Sequence, residues 1–369
     1  MSASPPTTRP LADVQLQGVC TEGRPPPALQ HVSLNVRYGE FFSVLGPPGS
    51  GKSAILRAVA GFARVVDGRV LIDGQDVTQR APGARSVGCV FQEGALWPHL
   101  TTRRHVSFGL EMQQLTGDEI NRRTGVVLGR LGLSDVADRC PPELTLEQRR
   151  RLALARALAT EPRVLVLDEP LAHLEPLVRK TLRLELARLH RDLALTTIQA
   201  TRDPADALAL SDRLAVVDAG RVLQFGEPGE LYHRPATRAV ATALGPATFL
   251  TVRVVEVRDL GVVVETERGD RVPVAGLGAF REGSRGLLVL RPEMVSLTEA
   301  SRARGPGIPG AIALRVFEGA RHLYEVDVGA SVPVRVEVPA VHETRLFRLG
   351  DRVRVEISTD TVVLVPDDR

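Results

Sequence analysis

The sequence predicts an α/β domain over residues 13–240, followed by a smaller all-β domain over residues 246–369. Three observations carry this prediction. Apolar segments of strand length alternate with helical segments from Val14 to Tyr232, which is the pattern of α/β proteins. A glycine-rich loop lies between one such strand and the helix that follows it. After Gly245, short alternating runs are separated by Gly, Pro and Asp, as in small β-barrels and β-sandwiches.

Length and composition exclude several classes of protein. The chain has 369 residues, of which 43% are hydrophobic and 25% charged, a composition typical of soluble globular domains. No apolar run approaches the roughly 18 residues of a membrane-spanning helix, and residues 1–10 lack the apolar stretch of a secretory signal. The cysteines, Cys20, Cys89 and Cys140, are scattered and odd in number, which favours a reducing cytosol. A secreted, membrane-spanning or disulfide-stapled protein is therefore not expected.

The elements of the α/β domain follow from hydrophobic periodicity and punctuation. Arg163–Leu167 is a continuous apolar run, as expected for a parallel strand covered on both faces. Pro176 fits the first turn of a helix with leucines at helical spacing. The other predicted elements are a strand at Glu40–Leu45, a helix at Ser53–Gly61, a strand at Thr196–Ala200 and a hairpin of Leu214–Val217 with Val222–Phe225.

The all-β domain is indicated by its runs of alternating polarity. They include Val252–Val257, Gly261–Thr266, Leu287–Leu290 and Val353–Ile357. We expect the domain boundary between residues 235 and 247, and a flexible N-terminus over residues 1–12, which are rich in Pro, Ser and Thr.

Residues 46–53 read Gly-Pro-Pro-Gly-Ser-Gly-Lys-Ser and match the phosphate-loop pattern G-x-x-x-x-G-K-[ST]. Glycines let the backbone approach phosphate oxygens, so that N–H groups and a helix N-terminus face the anion. Lys52 is expected to reach the β- and γ-phosphates, and the Ser53 hydroxyl to ligate Mg²⁺. The strand–helix context disfavours a chance match. The predicted nucleotide-binding residues are Gly46, Gly49, Ser50, Gly51, Lys52, Ser53 and Ala54.

Two carboxylates, Asp168 and Glu169, end the apolar strand that begins near residue 163. Paired with a phosphate loop, Asp168 is expected to hold Mg²⁺ through water, and Glu169 to polarise an attacking water as the catalytic base. The alternative is a strand followed by an acidic helix cap. This alternative is less favoured because a phosphate loop precedes the two carboxylates at the spacing of a nucleotide-binding fold.

These segments together resemble the ATPase subunits of ATP-binding cassette (ABC) transporters of the importer type, across residues 14–369. Gln92, after the predicted strand Ser86–Phe91, matches the Q-loop glutamine. The resemblance implies that Gln92 contacts Mg²⁺, acts in catalysis and lies beside the contact with a membrane subunit. It also implies a helical subdomain over about 95–160, on the residues Phe108-Gly109-Leu110 and Asp118–Leu133.

The C-terminal residues carry the importer part of the resemblance. Leu290-Arg291-Pro292-Glu293 resembles the R-P-E element of the regulatory β-domain in sugar, polyamine and iron(III) importer ATPases. Phe347 and Gly350-Asp351 resemble the closing strand of that domain. The full prediction is thus an α/β P-loop nucleotide-binding domain with a helical subdomain, followed by a smaller all-β, OB-like domain.

The signature segment of the family, usually L-S-G-G-Q, reads Leu-Thr-Leu-Glu-Gln at residues 144–148. Thr145 and Gln148 keep polar groups that the resemblance places against a nucleotide held by a second subunit. Leu146 puts a side chain where a bare glycine backbone approaches the γ-phosphate. Glu147 adds negative charge at a helix N-terminus expected to meet an anion, a repulsion of roughly 4 kcal/mol at 4 Å and an effective dielectric of 20.

Three further positions depart from the family pattern. Arg202 stands at the switch histidine, where it can pair with a γ-phosphate but cannot handle protons as histidine does. Glu175 stands at the D-loop aspartate, and Gly23 near the aromatic that stacks on adenine. These departures predict binding of Mg-ATP with slow hydrolysis or none.

The function implied by the resemblance is the ATP-binding subunit of a solute importer, which couples nucleotide-dependent dimer closure to transport. The expected ligands are ATP and Mg²⁺. The expected partners are multi-span membrane permease subunits, a second ABC ATPase subunit of the same or another kind and, indirectly, a solute-binding protein. The expected location is cytoplasmic, on the inner face of the membrane. The alternative is a catalytically weak or inactive regulatory or assembly partner of another ABC ATPase.

Two other classes of function are disfavoured. Nucleic acid is not an expected partner, because the net charge is only +3 and aromatic residues make up 4% of the chain. The histidines do not alternate with cysteines or carboxylates at metal-ligand spacing, so no metal other than Mg²⁺ is expected.

Overall fold

The computed structural model describes residues 12–22, 28–92, 94–258, 261–276, 280–301, 305–341, 346–358 and 362–367. The chain divides into two compact units, residues 1–228 and 229–369. The flexible N-terminus predicted over residues 1–12 and the position of Gly23 lie almost wholly outside the described residues.

The first unit alternates strands and helices. Its strands are β1 (Val14–Thr21), β2 (Val32–Val36), β3 (Phe41–Leu45), β4 (Val65–Ile72), β5 (Gln75–Asp76), β6 (Val87–Val90), β7 (Val164–Asp168), β8 (Thr196–Thr201), β9 (Arg213–Asp218) and β10 (Arg221–Gly226). Its helices are α1 (Lys52–Ala60), α2 (Thr102–Met112), α3 (Gly117–Arg130), α4 (Leu146–Ala159), α5 (Pro176–Leu193) and α6 (Pro204–Leu210).

Two sheets organise this unit. One is antiparallel, with the order β2-β1-β4-β5. The other has the order β10-β9-β3-β8-β7-β6 and is parallel apart from the β9–β10 hairpin. Every residue of β3 and β7 is buried, as their apolar character predicted, and every residue of β8 is buried although four of its six residues are Thr or Gln. Because these strands are parallel neighbours, the loops after their carboxyl ends meet at one edge of the sheet.

Residues 95–160 are largely helical, and their apolar faces share one core. Leu110 of α2, Leu128 of α3 and Leu152 of α4 pack in the same cluster as Leu165 and Leu167 of β7. Each of the three helices begins at a threonine whose hydroxyl accepts a hydrogen bond from the first turn: Thr101, Thr116 and Thr145.

The second unit holds the remaining elements. Two short helices, α7 (Pro228–His233) and α8 (Arg238–Ala243), precede ten strands. A closed barrel contains β11 (Thr248–Arg258), β12 (Gly261–Thr266), β13 (Arg271–Gly276), β14 (Arg285–Leu290) and β20 (Val363–Pro366). A five-stranded sheet contains β15 (Val295–Glu299), β16 (Gly307–Phe317), β17 (Arg321–Asp327), β18 (Val334–Pro339) and β19 (Arg352–Ile357).

The structural division at residue 228 lies earlier in the chain than the predicted boundary between 235 and 247. The reason is Arg291, which is only 2% exposed and donates hydrogen bonds to the carbonyls of Tyr232, Ala241 and Pro246. Its guanidinium also lies 3.8 Å from the centre of the Tyr232 ring. Helices α7 and α8 therefore belong to the β-rich unit, although their local sequence is helical. Among the described residues, no helix is both long and apolar enough to cross a membrane.

Candidate nucleotide-binding site

The phosphate loop occupies the turn between β3 and α1, at the edge where the central strands end. Gly46 allows close packing, since an added Cβ there would lie 2.1 Å from the carbonyl oxygen of Val217. Gly51 has φ 101° and precedes α1 directly, and an added Cβ would lie 2.7 Å from the carbonyl oxygen of Ala28. Gly46 and Gly51 thus allow the loop to pack against neighbouring backbone, in addition to letting its own backbone approach an anion.

Ala28 and its neighbours form a support for the loop that the sequence pattern did not reveal. The Gln30 N–H donates to the Gly220 carbonyl at 2.9 Å, and the Gln30 side chain donates to the Ala219 carbonyl at 3.0 Å. Gly220 in turn donates to the carbonyl of Ser50, inside the phosphate loop. These residues lie far apart in the chain, so no local spacing signalled their contact.

Lys52 is buried and its ammonium is held within the loop. Its Nζ donates to the carbonyl of Pro47 at 2.6 Å and to Ser50 Oγ at 3.3 Å. Burial lowers the pKa of Lys52, while the nearby carboxylate of Glu169 opposes that shift. An ammonium that is short of hydration inside an N–H-rich loop is suited to bind a polyanion.

Ser53 and Asp168 meet across the site. Ser53 Oγ donates to Asp168 Oδ1 at 3.0 Å. Burial raises the pKa of Asp168, and the hydrogen bond from Ser53 opposes that rise. Hydroxyl and carboxylate oxygens form the donor set that Mg²⁺ prefers, so these two residues fit the predicted metal.

Glu169 forms a two-pronged ion pair with Arg202. Arg202 Nε lies 2.7 Å from Glu169 Oε1, and the Arg202 NH2 group lies 2.7 Å from Glu169 Oε2. Glu169 is 13% exposed in its side chain and Arg202 40%. The hydrogen bond to Glu169 raises the pKa of Arg202, which stays charged. Both carboxylate oxygens of Glu169, the predicted catalytic base, therefore contact Arg202, the residue at the predicted switch position.

Gln92 follows β6, which lies beside β7, so the strand order brings it to the same edge as Asp168. Its backbone carbonyl accepts a hydrogen bond from the Arg150 guanidinium. Ala54 lies in the first turn of α1, one residue after Ser53. Of the predicted residues, Ser53 of the phosphate loop contacts Asp168, and Arg202 contacts Glu169, the next residue along the chain.

Thr145 and Gln148 lie elsewhere, at the N-terminus of α4, where they bond to each other. The Gln148 N–H donates to Thr145 Oγ1 at 3.1 Å, and the Thr145 N–H donates to Gln148 Oε1 at 2.9 Å. The sequence had these residues facing the nucleotide of a second subunit. Within this chain they cap their own helix.

The Glu147 carboxylate does not stand alone at the N-terminus of α4, as the sequence had led us to expect. It accepts hydrogen bonds from Arg151 at 2.9 Å and 3.1 Å, and Arg151 also contacts Glu185 at 2.8 Å. Arg151 follows at the i+4 position, so Glu147 turns along the helix instead of standing as a bare charge at its N-terminus. The predicted repulsion of an anion by Glu147 is therefore offset in this structure, whereas Leu146 remains exposed at 38%.

Comparison with known proteins decides the family. The sequence profile of the ABC transporter family matches residues 29–172, and that of the TOBE domain matches residues 288–365. The chain is 39% identical to the spermidine/putrescine import ATP-binding protein PotA of Frankia alni, over 88% of this chain and 73% of that protein. The chain belongs to the ABC transporter family.

Two more comparisons extend along the chain. The maltose/maltodextrin import ATP-binding protein MalK of Escherichia coli K12 is 34% identical over 97% of this chain and 95% of its own length. A solved dimeric ATP-binding cassette in a post-hydrolysis state, bound to ADP and Pi, aligns with a TM-score of 0.54 and 28% identity. This alignment covers 58% of this chain and 98% of the solved chain. The predicted fold, an ABC-type α/β domain followed by an all-β domain, is confirmed.

Proposed function

We propose that this chain is the ATP-binding subunit of an ABC-type solute importer and that it binds Mg-ATP at the phosphate loop of residues 46–53. The observation that carries the proposal is the joint placement of this loop, Lys52 and the Ser53–Asp168 contact at one sheet edge. The names of the relatives, which are import ATP-binding proteins over most of this chain, support the importer direction.

In this proposal each residue has a physical role. The loop's N–H groups, with Gly46, Gly49, Ser50, Gly51 and Ala54, surround the phosphates, and Lys52 supplies the charge. Ser53 and Asp168, the latter through water, hold Mg²⁺ together with Gln92. When bound, the metal ion neutralises charge between the β- and γ-phosphates. Glu169 is placed to orient the attacking water.

The partners follow from the same proposal. A second ABC ATPase subunit, identical or different, presents its own Thr145- and Gln148-like residues to the nucleotide. Multi-span permease subunits receive the closure movement, and a solute-binding protein acts through them. The proposed location is the cytoplasmic face of the membrane.

The Glu169–Arg202 pair favours a second candidate, a subunit that binds ATP but hydrolyses it weakly and serves as a regulatory or assembly partner. Arg202 bonds to both carboxylate oxygens of Glu169 and so competes with an attacking water for them. The pair is partly exposed, so it is worth at most about 1 kcal/mol. In this proposal, a γ-phosphate that attracts Arg202 separates it from Glu169. The equilibrium between Arg202 bound to Glu169 and Arg202 bound to the phosphate then sets the rate of ATP hydrolysis.

The experiment that separates the two candidates measures ATP affinity and turnover, with and without the membrane subunits, for three proteins. These are the wild type, Lys52→Ala and Glu169→Gln. Lys52→Ala is expected to weaken binding. Glu169→Gln is expected to change turnover little, because the Arg202 pair already limits the starting rate. Steady turnover by the isolated wild type at about 1 s⁻¹ or more would favour the active motor, as would a large drop on Glu169→Gln.

A further inference from the structure

Three metal-ligating side chains converge at one end of the antiparallel sheet, away from the residues assigned above. Cys20 lies on β1, and Asp67 is its cross-strand neighbour on β4. His31 directly precedes Val32, which pairs with Val19 on the other side of β1. Strands β1 and β4 thus carry one ligand each, and the third ligand lies at the residue before β2, in a sheet ordered β2-β1-β4. The sequence offered no signal for this cluster because its members are eleven and thirty-six residues apart.

The donor atoms lie at distances suited to a shared ion. Cys20 Sγ lies 3.5 Å from His31 Nδ1, and His31 Nδ1 lies 4.0 Å from Asp67 Oδ2. The three donor atoms, on Cys20, His31 and Asp67, all lie within 4.8 Å of one another. Tetrahedral ligands at zinc bond lengths are separated by about 3.5 Å for S and N and about 3.3 Å for N and O. The first distance already fits, and the distance between His31 Nδ1 and Asp67 Oδ2 needs to shorten by less than about 1 Å.

The surroundings of the sulfur and the carboxylate support ligation. The His31 N–H donates to Cys20 Sγ at 3.2 Å, a contact that orients the sulfur. His31 has φ 51°, and both its N–H and its Nδ1 lie within hydrogen-bond distance of the same sulfur. Asp67 Oδ1 accepts a hydrogen bond from the Gly68 N–H at 2.9 Å, which leaves Oδ2 as the oxygen that faces His31. Such second contacts orient ligands around a metal.

The arrangement is not that of a catalytic triad. A Cys-His-Asp relay needs the sulfur at one ring nitrogen and the carboxylate at the other, because the imidazole must pass a proton between them. Here Cys20 Sγ and Asp67 Oδ2 both face Nδ1 of His31. One nitrogen directed at both a sulfur and an oxygen fits an ion between the three atoms.

We infer that Cys20, His31 and Asp67 bind one divalent ion of the zinc class, with water at the fourth position. A mixed sulfur, nitrogen and oxygen donor set selects zinc over magnesium or calcium, which take oxygen ligands. The ion ties together the ends of β1, β2 and β4, next to the segment that supports the phosphate loop through Gln30 and Gly220. This inference differs from the sequence-based expectation that no metal other than Mg²⁺ binds.

The test is a titration of the purified full-length chain, freed of metal by a chelator, with Co²⁺ as the probe. One equivalent is expected to produce a sulfur-to-cobalt charge-transfer absorption that Zn²⁺ removes by displacement. Cys20→Ser is expected to abolish the band, and His31→Ala and Asp67→Asn to weaken binding by more than about tenfold. The matched control is Cys140→Ser, which changes another half-exposed cysteine and keeps the band.

No nucleotide is present in this titration, so its outcome is independent of the proposed function. Far-ultraviolet circular dichroism and thermal unfolding of each variant show that it is folded. The inference is overturned if no charge-transfer band forms, which leaves a plain thiol–imidazole contact. It is equally overturned if the band survives Cys20→Ser or disappears in Cys140→Ser.

Discussion

At the scale of single residues, Arg202 decides how the site behaves. The family's histidine can give and take protons near neutral pH, whereas arginine stays charged and forms fixed, planar pairs. In this chain that property holds Glu169 through two hydrogen bonds of 2.7 Å. The sequence revealed that the position departs from the family, but only the fold revealed which carboxylate the guanidinium reaches.

Replacing Arg202 with histidine is therefore expected to raise ATP turnover by up to about fivefold, because it removes an ion pair of at most about 1 kcal/mol from the proposed catalytic carboxylate, Glu169. Steady-state phosphate release at saturating Mg-ATP measures the effect. The gain should vanish in the double variant Arg202→His with Glu169→Gln. A single variant that turns over no faster than wild type would show that the ion pair does not limit the rate.

Burial of Lys52 makes its charge sensitive to pH. Because its pKa is lowered, the ammonium in the nucleotide-free protein loses its proton at a lower pH than an ordinary lysine. ATP affinity should then fall as the pH rises from about 8 to 10, below the reference lysine pKa. Isothermal titration across this range checks the fall, with Lys52→Met as a control whose weaker affinity stays level. Parallel profiles for the two proteins would contradict the assignment.

At the scale of elements, the strands and helices were largely predictable and the contacts between them were not. Strand β7 and helix α5 follow from an apolar run and from a proline at the first helical turn. In contrast, the Glu147–Arg151–Glu185 group depends on α4 packing beside α5, which no local pattern specifies. The Cys20–His31–Asp67 cluster was missed for the same reason, since a sheet of non-consecutive strands assembles it.

The N-terminus of α4 offers a test at this scale. The double variant Leu146→Gly with Glu147→Gly removes the exposed leucine side chain and one partner of Arg151. It should lower the free energy of unfolding by about 1–2 kcal/mol, since glycine disfavours helix and the half-exposed ion pair is weak. It should also strengthen Mg-ATP-dependent dimerisation, measured by sedimentation in the Glu169→Gln background. Glu147→Ala alone is the control, and equal dimerisation in both variants would rule out Leu146 as the obstacle.

At the scale of the whole molecule, the chain consists of two compact units, and each has its own hydrophobic core. The phosphate site lies wholly in the first unit, and the second combines a barrel, a sheet and two helices. The sequence predicted this division in kind. The contacts of helices α7 and α8 with Arg291, in the distant R-P-E element, could not be predicted from local sequence.

Arg291→Ala is expected to destabilise the second unit by about 2 kcal/mol, since it leaves the buried carbonyl of Ala241 without a donor and removes two part-buried hydrogen bonds. Burial lowers the pKa of Arg291, yet the side chain is held by three carbonyls and the Tyr232 ring. Chemical denaturation of the full chain measures the loss. Arg285→Ala, an exposed arginine of the same strand β14, is the control and should change stability by less than about 0.5 kcal/mol. Equal losses in the two variants would contradict the anchoring role.

The most direct measurement is equilibrium binding of Mg-ATP and ADP to the purified chain, compared with Lys52→Ala. Saturable one-site binding is expected, weakened by more than about tenfold in the variant because a buried charge-assisted contact is lost. If wild type and variant both fail to bind either nucleotide, the phosphate loop does not hold a triphosphate and the importer subunit and its weakly active alternative both fall.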